Sequence, residues 1–447
     1  MPDPVPPAAG TGPAPPDDPL RRSLHDEVHA RPTARIRLPA LLIYVAVLND
    51  GISREAECAH LRELPGQGEL SIEALRGGFL RLRLGGWTLK WERHTEFSRY
   101  TLVQPLPDGA ELGRDQPDLL EGLVVTTDWL RRIPGRTIAA IEMAMVHGDP
   151  AATPELVAQA QAWFGPTNLL ASRLGNQGHS LAFTDFLLRP TGFERMLVVA
   201  PPGTSELRAG RASQRLIEME TYRLMALRGL PDAKALAPGL ADMERELSGI
   251  TERLERKAES DQELLDTLVS LAAGVERATA AHVFRFSATR AYESLVDQRI
   301  GELREQPVSG IQTLGEFMRR RLSPAMSTVR ATAQRLDSLS QRVARASDLL
   351  RTRVDIATET HNRELLEKLT RGQQLQLRLQ STVEGLSIAA ISYYVVSLLL
   401  YAAKALKVAG LPVHPELLVG SAIPLILWLV WRTIRRIHES LHADGPH

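Results

Sequence analysis

The sequence predicts an α+β cytoplasmic domain with an antiparallel meander, then a long helical, coiled-coil stalk and a C-terminal two-helix transmembrane hairpin. Three patterns carry this prediction: alternating apolar residues within 79–103, a heptad-like apolar stripe from Leu322, and two apolar runs near the end. The predicted parts are a leader at 1–19, the α+β domain at 20–202, the stalk at 203–384, the two spans at 385–433 and a tail at 434–447.

Composition narrows the class of protein. The leader is rich in Pro, Ala, Gly and Asp, which predicts disorder. Basic and acidic residues balance at 53 each, so no basic field indicates nucleic acid. The single cysteine, Cys58, fits a reducing compartment, and the N-terminal residues lack the pattern of a signal peptide. A cytoplasmic N-terminal domain is therefore expected.

The first motif is a short predicted helix that Ser23 caps and Pro32 ends. His25 and His29 lie four residues apart on one helix face, a spacing that permits two ligands to one metal. The zinc-protease pattern needs Glu after the first His, and Asp26 stands there instead. The alternative is a hydrogen-bonded polar cluster. The candidate residues of this motif are His25, Glu27, His29 and Arg31.

A buried strand is predicted at 35–48 and a helix at 53–64. The strongest strand signals come after them, within 79–103. Residues 80–84 and 87–93 alternate about the turn Gly85-Gly86, and 97–103 forms a third strand, which predicts an antiparallel meander. Further predicted elements are helices at 119–132 and 154–163, the latter capped by Thr153, and strands at 136–145, 169–174, 180–188 and 193–199. The turn at 175–178 lacks the spacing of a phosphate-binding glycine loop.

A polar stretch at the end of the second meander strand is the other candidate site. Alternation places Lys90, Glu92, His94 and Glu96 on one strand face and Arg93 on the opposite face. Two carboxylates and an imidazole on one face could hold a cation or move a proton. An exposed polar face explains the same pattern.

The character of the chain changes at 201–203, where helical patterns replace strands. Thr204 or Ser205 is predicted to cap a helix to Leu227, and 241–305 is predicted helical with a break near Gly274. From Leu322 the apolar stripe continues in heptad-like steps, with Pro324 as a helix start, and resumes at Leu365 up to Leu386. The stripe predicts that the last stalk helix continues into the first span, as a helix of about 80 residues.

Two apolar runs are the predicted membrane spans, at 385–406 and 412–433. Six Lys or Arg residues flank the pair outside the hairpin, whereas its connection holds Lys404 and Lys407, so both termini are expected in the cytoplasm. The second run is shorter and contains Pro424, which leaves a re-entrant segment as an alternative. Polar residues of the first span are expected to face a partner helix or a pore: Ser392, Tyr393, Tyr394, Ser397 and Tyr401.

Three segments resemble a bacterial family of uncharacterised, predicted membrane-anchored proteins defined by a domain of unknown function. They are the motif at 23–32, the segment Trp91-Glu92-Arg93-His94-Thr95-Glu96-Phe97, and the segment 384–394. The resemblance covers nearly the whole chain after residue 20 and implies a membrane-anchored protein, for which the bacterial inner membrane is the expected location. It implies no activity.

The order of parts is also similar to that of CorA-type divalent-cation transporters. Those proteins have a cytoplasmic α/β domain, a long stalk helix and two C-terminal spans. Their outer loop carries Gly-Met-Asn, whereas this connection reads Ala409-Gly410-Leu411-Pro412-Val413. The departure removes the motif on which their Mg²⁺ selectivity depends.

Three functional hypotheses follow. The first is a non-enzymatic membrane-anchored homo-oligomer that presents its α+β domain to a cytoplasmic partner or ligand. The second is a CorA-like channel or transporter, for which a divalent cation is the expected cargo. The third is a membrane-tethered enzyme that uses the two His-containing motifs. No cofactor is identified from the sequence, and the expected partners are the lipid bilayer and further copies of the chain.

Overall fold

A computed structural model describes residues 18–21, 24–25, 34–256, 260–408 and 414–443, with the side chains of 434, 435 and 437–443 excepted. The described residues of 1–258 and 266–346 form one compact unit, and those of 259–265 and 347–447 form a second. The first unit therefore continues to residue 346, whereas the sequence interpretation begins the stalk at residue 203.

Within the described residues, nine strands form one mixed sheet in the order β2-β3-β4-β1-β5-β8-β7-β6-β9. Neighbouring strands are antiparallel except β5 and β8, which pair in parallel. That parallel pair needs a long crossover, supplied here by a helix and the β6–β7 hairpin. The strands are β1 (Ala40–Leu48), β2 (Phe79–Leu84), β3 (Trp87–Arg93), β4 (Phe97–Pro105), β5 (Arg136–His147), β6 (Leu170–Leu174), β7 (Ser180–Thr184), β8 (Glu194–Ala200) and β9 (Gln306–Pro307).

One face of the sheet carries the main apolar core. Alternate residues of the central strand, such as Leu41, Ile43 and Val45, lie in this core together with Trp91 and Trp163. Three α-helices contribute residues to this core: α1 (Arg54–Arg62), α2 (Thr127–Arg131) and α3 (Thr153–Phe164).

Two sequence expectations fail in this region. Helix α2 covers only Thr127–Arg131 of the predicted 119–132, because Thr126 caps it through its side chain and accepts from the Trp129 amide. Helix α3 starts at Thr153 without a side-chain cap, since the Thr153 hydroxyl donates to the Pro150 carbonyl instead.

The opposite sheet face meets helix α4 (Glu206–Leu227), which Ser205 caps as expected. Tyr44 of β1 and Thr221 of α4 share a hydrogen bond of 2.8 Å between their hydroxyls. Helices α5 (Gly229–Arg256) and α6 (Asp261–Leu303) follow. The predicted break near Gly274 is wrong, because Gly274 lies within α6 and its flanking residues Leu271 and Val275 are buried.

Helix α7 runs without interruption from Leu314 to Val408, so the expected continuity between the last stalk helix and the first apolar run is confirmed. Pro324 lies inside this helix rather than at its start. Burial of Leu322 and Met326 on either side offsets the backbone hydrogen bond that proline cannot make. Ion pairs to α5 and α6 fix the same segment, namely Arg335–Glu244 at 2.7 Å and Arg330–Glu293 at 2.9 Å.

The second unit contains the remainder of α7 and helix α8 (Pro415–Ala443). Each of the helical ranges 314–407 and 415–433 contains an 18-residue stretch that is long and apolar enough to cross a membrane. Most large apolar side chains there are exposed, including Leu386 and Leu398 at 68% each and Leu417 at 74%. The chain thus consists of a mixed-sheet α/β unit with long helices and a C-terminal helix pair.

Candidate functional site

The end of strand β3 is the candidate site that the sequence singles out, and its side chains alternate as expected. Trp91 points into the apolar core, whereas Lys90 and Glu92 lie on the face that meets α4. Glu92 is fully buried and Lys90 is 7% exposed. The interpretation of this face as an exposed polar surface is therefore wrong, because α4 covers it.

Glu92 is the centre of a buried charge network. The Arg99 guanidinium donates from Nε to Glu92 Oε2 at 2.6 Å and from Nη2 to Oε1 at 2.9 Å, a two-pronged pairing. Lys90 Nζ lies 3.1 Å from the same carboxylate. Burial alone would raise the pKa of Glu92, but Arg99 and Lys90 together outweigh it and hold the pKa below its ordinary value.

The network continues into the helices. Arg99 Nη1 donates to Glu218 of α4 at 3.1 Å, and Arg299 of α6 donates to the other oxygen of Glu218 at 2.6 Å. Burial would raise the pKa of Glu218, yet Arg99, Gln214 and Arg299 lower it. Both carboxylates are thus ionised and occupied by donors, which makes them structural bridges between sheet and helices rather than proton acceptors.

Glu96 has a separate set of partners. Strand β3 ends at Arg93 and β4 begins at Phe97, so His94 and Glu96 lie in the tight turn between the strands. Glu96 pairs with Arg285 of α6 and lies 3.7 Å from Arg228. The expected single site of Glu92, His94 and Glu96 on one strand face is therefore wrong, because the strand turns before His94.

Arg93 and His94 line a cavity of about 480 Å³ beside this turn. Arg93 Nη1 donates to the buried Glu57 at 2.5 Å and Nη2 donates to the Ile52 carbonyl at 2.7 Å, which fixes the guanidinium. The His94 ring stacks on Phe97 with centroids 4.7 Å apart. The remaining lining residues are Arg54, Thr95, Phe97, Tyr222, Tyr292 and Leu295.

Aromatic and cationic groups dominate this cavity wall. Tyr292 and Tyr222 stack with centroids 5.9 Å apart, and burial raises the pKa of both hydroxyls. Both are therefore neutral donors at ordinary pH. Such a wall can bind a small polar ligand, while no serine or cysteine lies among its lining residues as a candidate nucleophile.

The N-terminal motif falls mostly outside the described residues, since Glu27, His29 and Arg31 are not among them. His25 is described and exposed, and it does not line the cavity that contains His94. Across the parts of the chain that the structure describes, no group of three or more His, Cys, Asp or Glu side chains is placed to hold a metal ion.

The polar residues of the first apolar run differ in exposure. Tyr393, Tyr394 and Tyr401 are 67–71% exposed, whereas Ser392 is 4% exposed. The Ser392 hydroxyl has no hydrogen-bond partner within the described residues. Ser397 is half-buried. The tyrosines thus present hydroxyl groups outward from a single chain.

Sequence reasoning missed Arg99 and Glu218, the two residues that tie the network together. They lie 119 positions apart, and no local pattern links them. The available signal was Arg99 itself, a charge within the apolar strand 97–103. A charge at an inward position of a central strand requires a buried partner.

The fold and the site define a class: an α/β protein whose C-terminal helices are long and apolar enough to cross a membrane. The chain belongs to the family described as "Protein of unknown function (DUF3422)", whose model matches residues 16–441. This match confirms the expected membership of an uncharacterised family. Searches of curated proteins and of solved structures returned no match.

Proposed function

We propose that this protein is anchored in the bacterial inner membrane by α7 and α8, self-associates through α7, and presents its α/β unit to a cytoplasmic partner. The observation that carries the proposal is the exposed apolar surface of the second unit. In each candidate span only 11% of the apolar 18-residue stretch is buried in the single chain, which supports a spanning helix over an internal core helix. Exposed leucines at this density need a bilayer or another protein surface as cover.

The bilayer covers the two apolar runs in this proposal. No Asp, Glu, Lys or Arg occurs between Glu384 and Lys404, a length that matches the roughly 20 residues of a spanning helix. Arg432 and Arg436 follow the second run, and the Arg432 guanidinium lies 5.0 Å from the Trp428 ring. Arginine and tryptophan side by side are typical of the interface, which supports a cytoplasmic C-terminus.

A second copy of the chain covers the preceding segment, 365–383. Leu365, Leu369, Leu379 and Val383 are 44–66% exposed there. The hydrocarbon core of a bilayer does not suit this segment, because it also contains four charged residues, whose burial in hydrocarbon is costly. These residues are Glu367, Lys368, Arg371 and Arg378. The same helix in a second copy has the same heptad spacing, and its apolar stripe continues to Leu386 in the span. Charged residues of both signs lie beside the stripe and can pair between the two helices. Self-association therefore buries the stripe without burying the charges.

Membrane anchoring is tested by alkaline carbonate extraction of the full chain and of a chain that ends at Glu384. The full chain should stay in the membrane pellet, and the shortened chain should appear in the soluble fraction. Release of the full chain by carbonate would contradict the anchor. Ion flux in liposomes that contain the full chain would instead support the CorA-like alternative.

Self-association is tested by disulfide cross-linking in a Cys58→Ala background. Leu379→Cys places a thiol on the proposed stripe, and Gln374→Cys places one on the same exposed helix away from the stripe. Oxidation should give a covalent dimer for Leu379→Cys and little for Gln374→Cys. Equal cross-linking at both positions, or none at either, would contradict the proposed helix pairing.

A further inference from the structure

A second cavity in the first unit is strongly basic and shares no lining residue with the cavity beside the β3–β4 turn. Its volume is about 570 Å³, within the roughly 300–1,000 Å³ typical of small-molecule sites. It lies between the β6–β7 turn, the first half of α4 and the end of α6. Glu302 is the single carboxylate among its lining residues. The same lining contains four arginines, namely Arg208, Arg211, Arg215 and Arg304.

The arginines of α4 form one ridge. Arg208, Arg211 and Arg215 follow each other in steps of three and four, which places them on one helix face. Arg208 and Arg211 are exposed and form no ion pair within 4 Å among the described residues. Like charges at this spacing destabilise a helix, so an anion bound along the ridge would reduce the repulsion between these arginines.

The one carboxylate is already neutralised. Glu302 accepts from Arg299 Nη1 at 2.9 Å and from Arg215 Nε at 3.3 Å. It also accepts from the Gln298 amide at 2.8 Å. The charge of Arg208, Arg211 and Arg304 therefore faces the cavity without a compensating acid among the lining residues.

The remaining lining residues of the cavity include polar groups, and hydrogen bonds hold this part of the wall in place. The Gln306 side chain donates to the Asn176 carbonyl at 2.7 Å, and the Gly175 amide donates to the Leu303 carbonyl at 2.9 Å, which holds the β6–β7 turn against the end of α6. His179 shares a hydrogen bond of 3.1 Å with Thr204. Burial, and secondarily Arg208, lowers the pKa of His179, so this imidazole is a neutral polar group at pH 7.

We propose that this basic cavity binds a phosphate-bearing ligand with two or more negative charges. Guanidinium forks match phosphate oxygens in pairs, and three such forks converge on one cavity. Recognition comes from arginine side chains, so it does not need the glycine loop that the turn at 175–178 lacks. The ligand is either a free phosphorylated small molecule or the headgroup of an anionic phospholipid, since both offer the same chemistry. Binding of a free phosphorylated molecule does not depend on membrane anchoring, whereas the headgroup source rests on the proposed anchor.

Calorimetric titration of the full chain in neutral detergent with pyrophosphate tests the proposal. Saturable binding is expected, and it should weaken as NaCl rises. The double variant Arg208→Ala/Arg211→Ala should bind at least about tenfold more weakly, because charge-assisted hydrogen bonds are lost. Arg277→Ala/Arg290→Ala removes the same charge from exposed positions of α6 outside the cavity and should bind as the wild type does.

A variant with the opposite expected sign separates binding from loss of structure. Glu302→Gln removes the only carboxylate of the lining and should tighten pyrophosphate binding, which a damaged fold would not do. The absence of saturable binding, or equal affinities in wild type and Arg208→Ala/Arg211→Ala, would overturn the proposal.

Nanodiscs distinguish the two sources of phosphate. If a phospholipid headgroup is the ligand, pyrophosphate should bind more weakly in phosphatidylglycerol discs than in phosphatidylcholine discs. If a free phosphorylated molecule is the ligand, the affinity should be the same in both. Either result supports the site, provided that Arg208→Ala/Arg211→Ala lowers the affinity in phosphatidylcholine discs.

Discussion

The two ends of helix α7 carry similar apolar residues but differ in how the chain covers them. In the first unit, Met326, Val329 and Leu336 are 1–5% exposed. In the second unit, Leu379, Val383 and Leu386 are 59–68% exposed. One continuous helix thus has one apolar stripe that its own chain buries and another that stays exposed in the single chain. The heptad-like spacing is the same in both stripes, so the spacing alone does not show whether a stripe is buried within its own chain.

The largest expected effect comes from a matched pair of valines. Val329→Asp buries an unpaired charge where Val329 is 2% exposed, and should cost more than about 4 kcal/mol of the free energy of unfolding of the first unit. Val383→Asp changes a residue that is 59% exposed and should leave that free energy within about 0.5 kcal/mol. Denaturant unfolding of the full chain in detergent measures both.

Val383→Asp should also abolish the Leu379→Cys cross-link, whereas the cross-link should persist in an exposed control, Gln374→Asp. Comparable unfolding free energies for Val329→Asp and Val383→Asp would show that the two stripes are not covered differently.

The second prediction compares a buried arginine of the first unit, Arg99, with an exposed arginine of α7, Arg378. Arg99 is buried between Glu92 and Glu218, so Arg99→Met leaves two carboxylates without their main partner and should cost about 3–5 kcal/mol. Arg378→Met, at an exposed position of α7, should cost less than about 0.5 kcal/mol. The unfolding midpoints of the two variants give the measurement, and a loss for Arg99→Met no larger than for Arg378→Met would contradict the structural role of the network.

A smaller effect concerns pH. Glu194 of β8 is 7% exposed and lies beside Glu220, which pairs with Arg223 of α4. Burial, and secondarily the Glu220 charge, raises the pKa of Glu194 to about 9. The folded state therefore holds this proton more tightly than the unfolded state, so its stabilising effect is complete below pH 4.5 and declines as pH rises towards 9.

Glu194→Gln should remove that decline, which amounts to up to about 1.4 kcal/mol per pH unit. Unfolding free energies of wild type and variant at pH 6, 7 and 8 give the measurement. Parallel pH profiles for the two proteins would show that Glu194 does not carry the proton.

Local patterns predicted much of the fold. The hairpin at Gly85-Gly86, the cap at Ser205 and the continuity of α7 into the first apolar run follow from alternation, capping and the absence of a strong breaker. The parallel pairing of β5 and β8 did not follow, because the order of strands depends on contacts between residues more than 50 positions apart.

The candidate site was only partly predictable for the same reason. Alternation along β3 correctly placed Glu92 and Trp91 on opposite faces of the sheet. It wrongly placed His94 and Glu96 on the face of Glu92, because β3 ends at Arg93 and both residues lie in the following turn. The burial of Glu92 depends on α4, whose Glu218 lies far along the chain. A strand pattern shows which residues share a face but not which element covers it.

Carbonate extraction is the most direct test of the difference between the two ends of α7. If α7 and α8 anchor the protein, the full chain should stay in the membrane pellet at alkaline pH, and the chain ending at Glu384 should be soluble with an intact first unit. Full release of the intact chain into the soluble fraction would contradict membrane anchoring, because the exposed apolar helices would then need no bilayer.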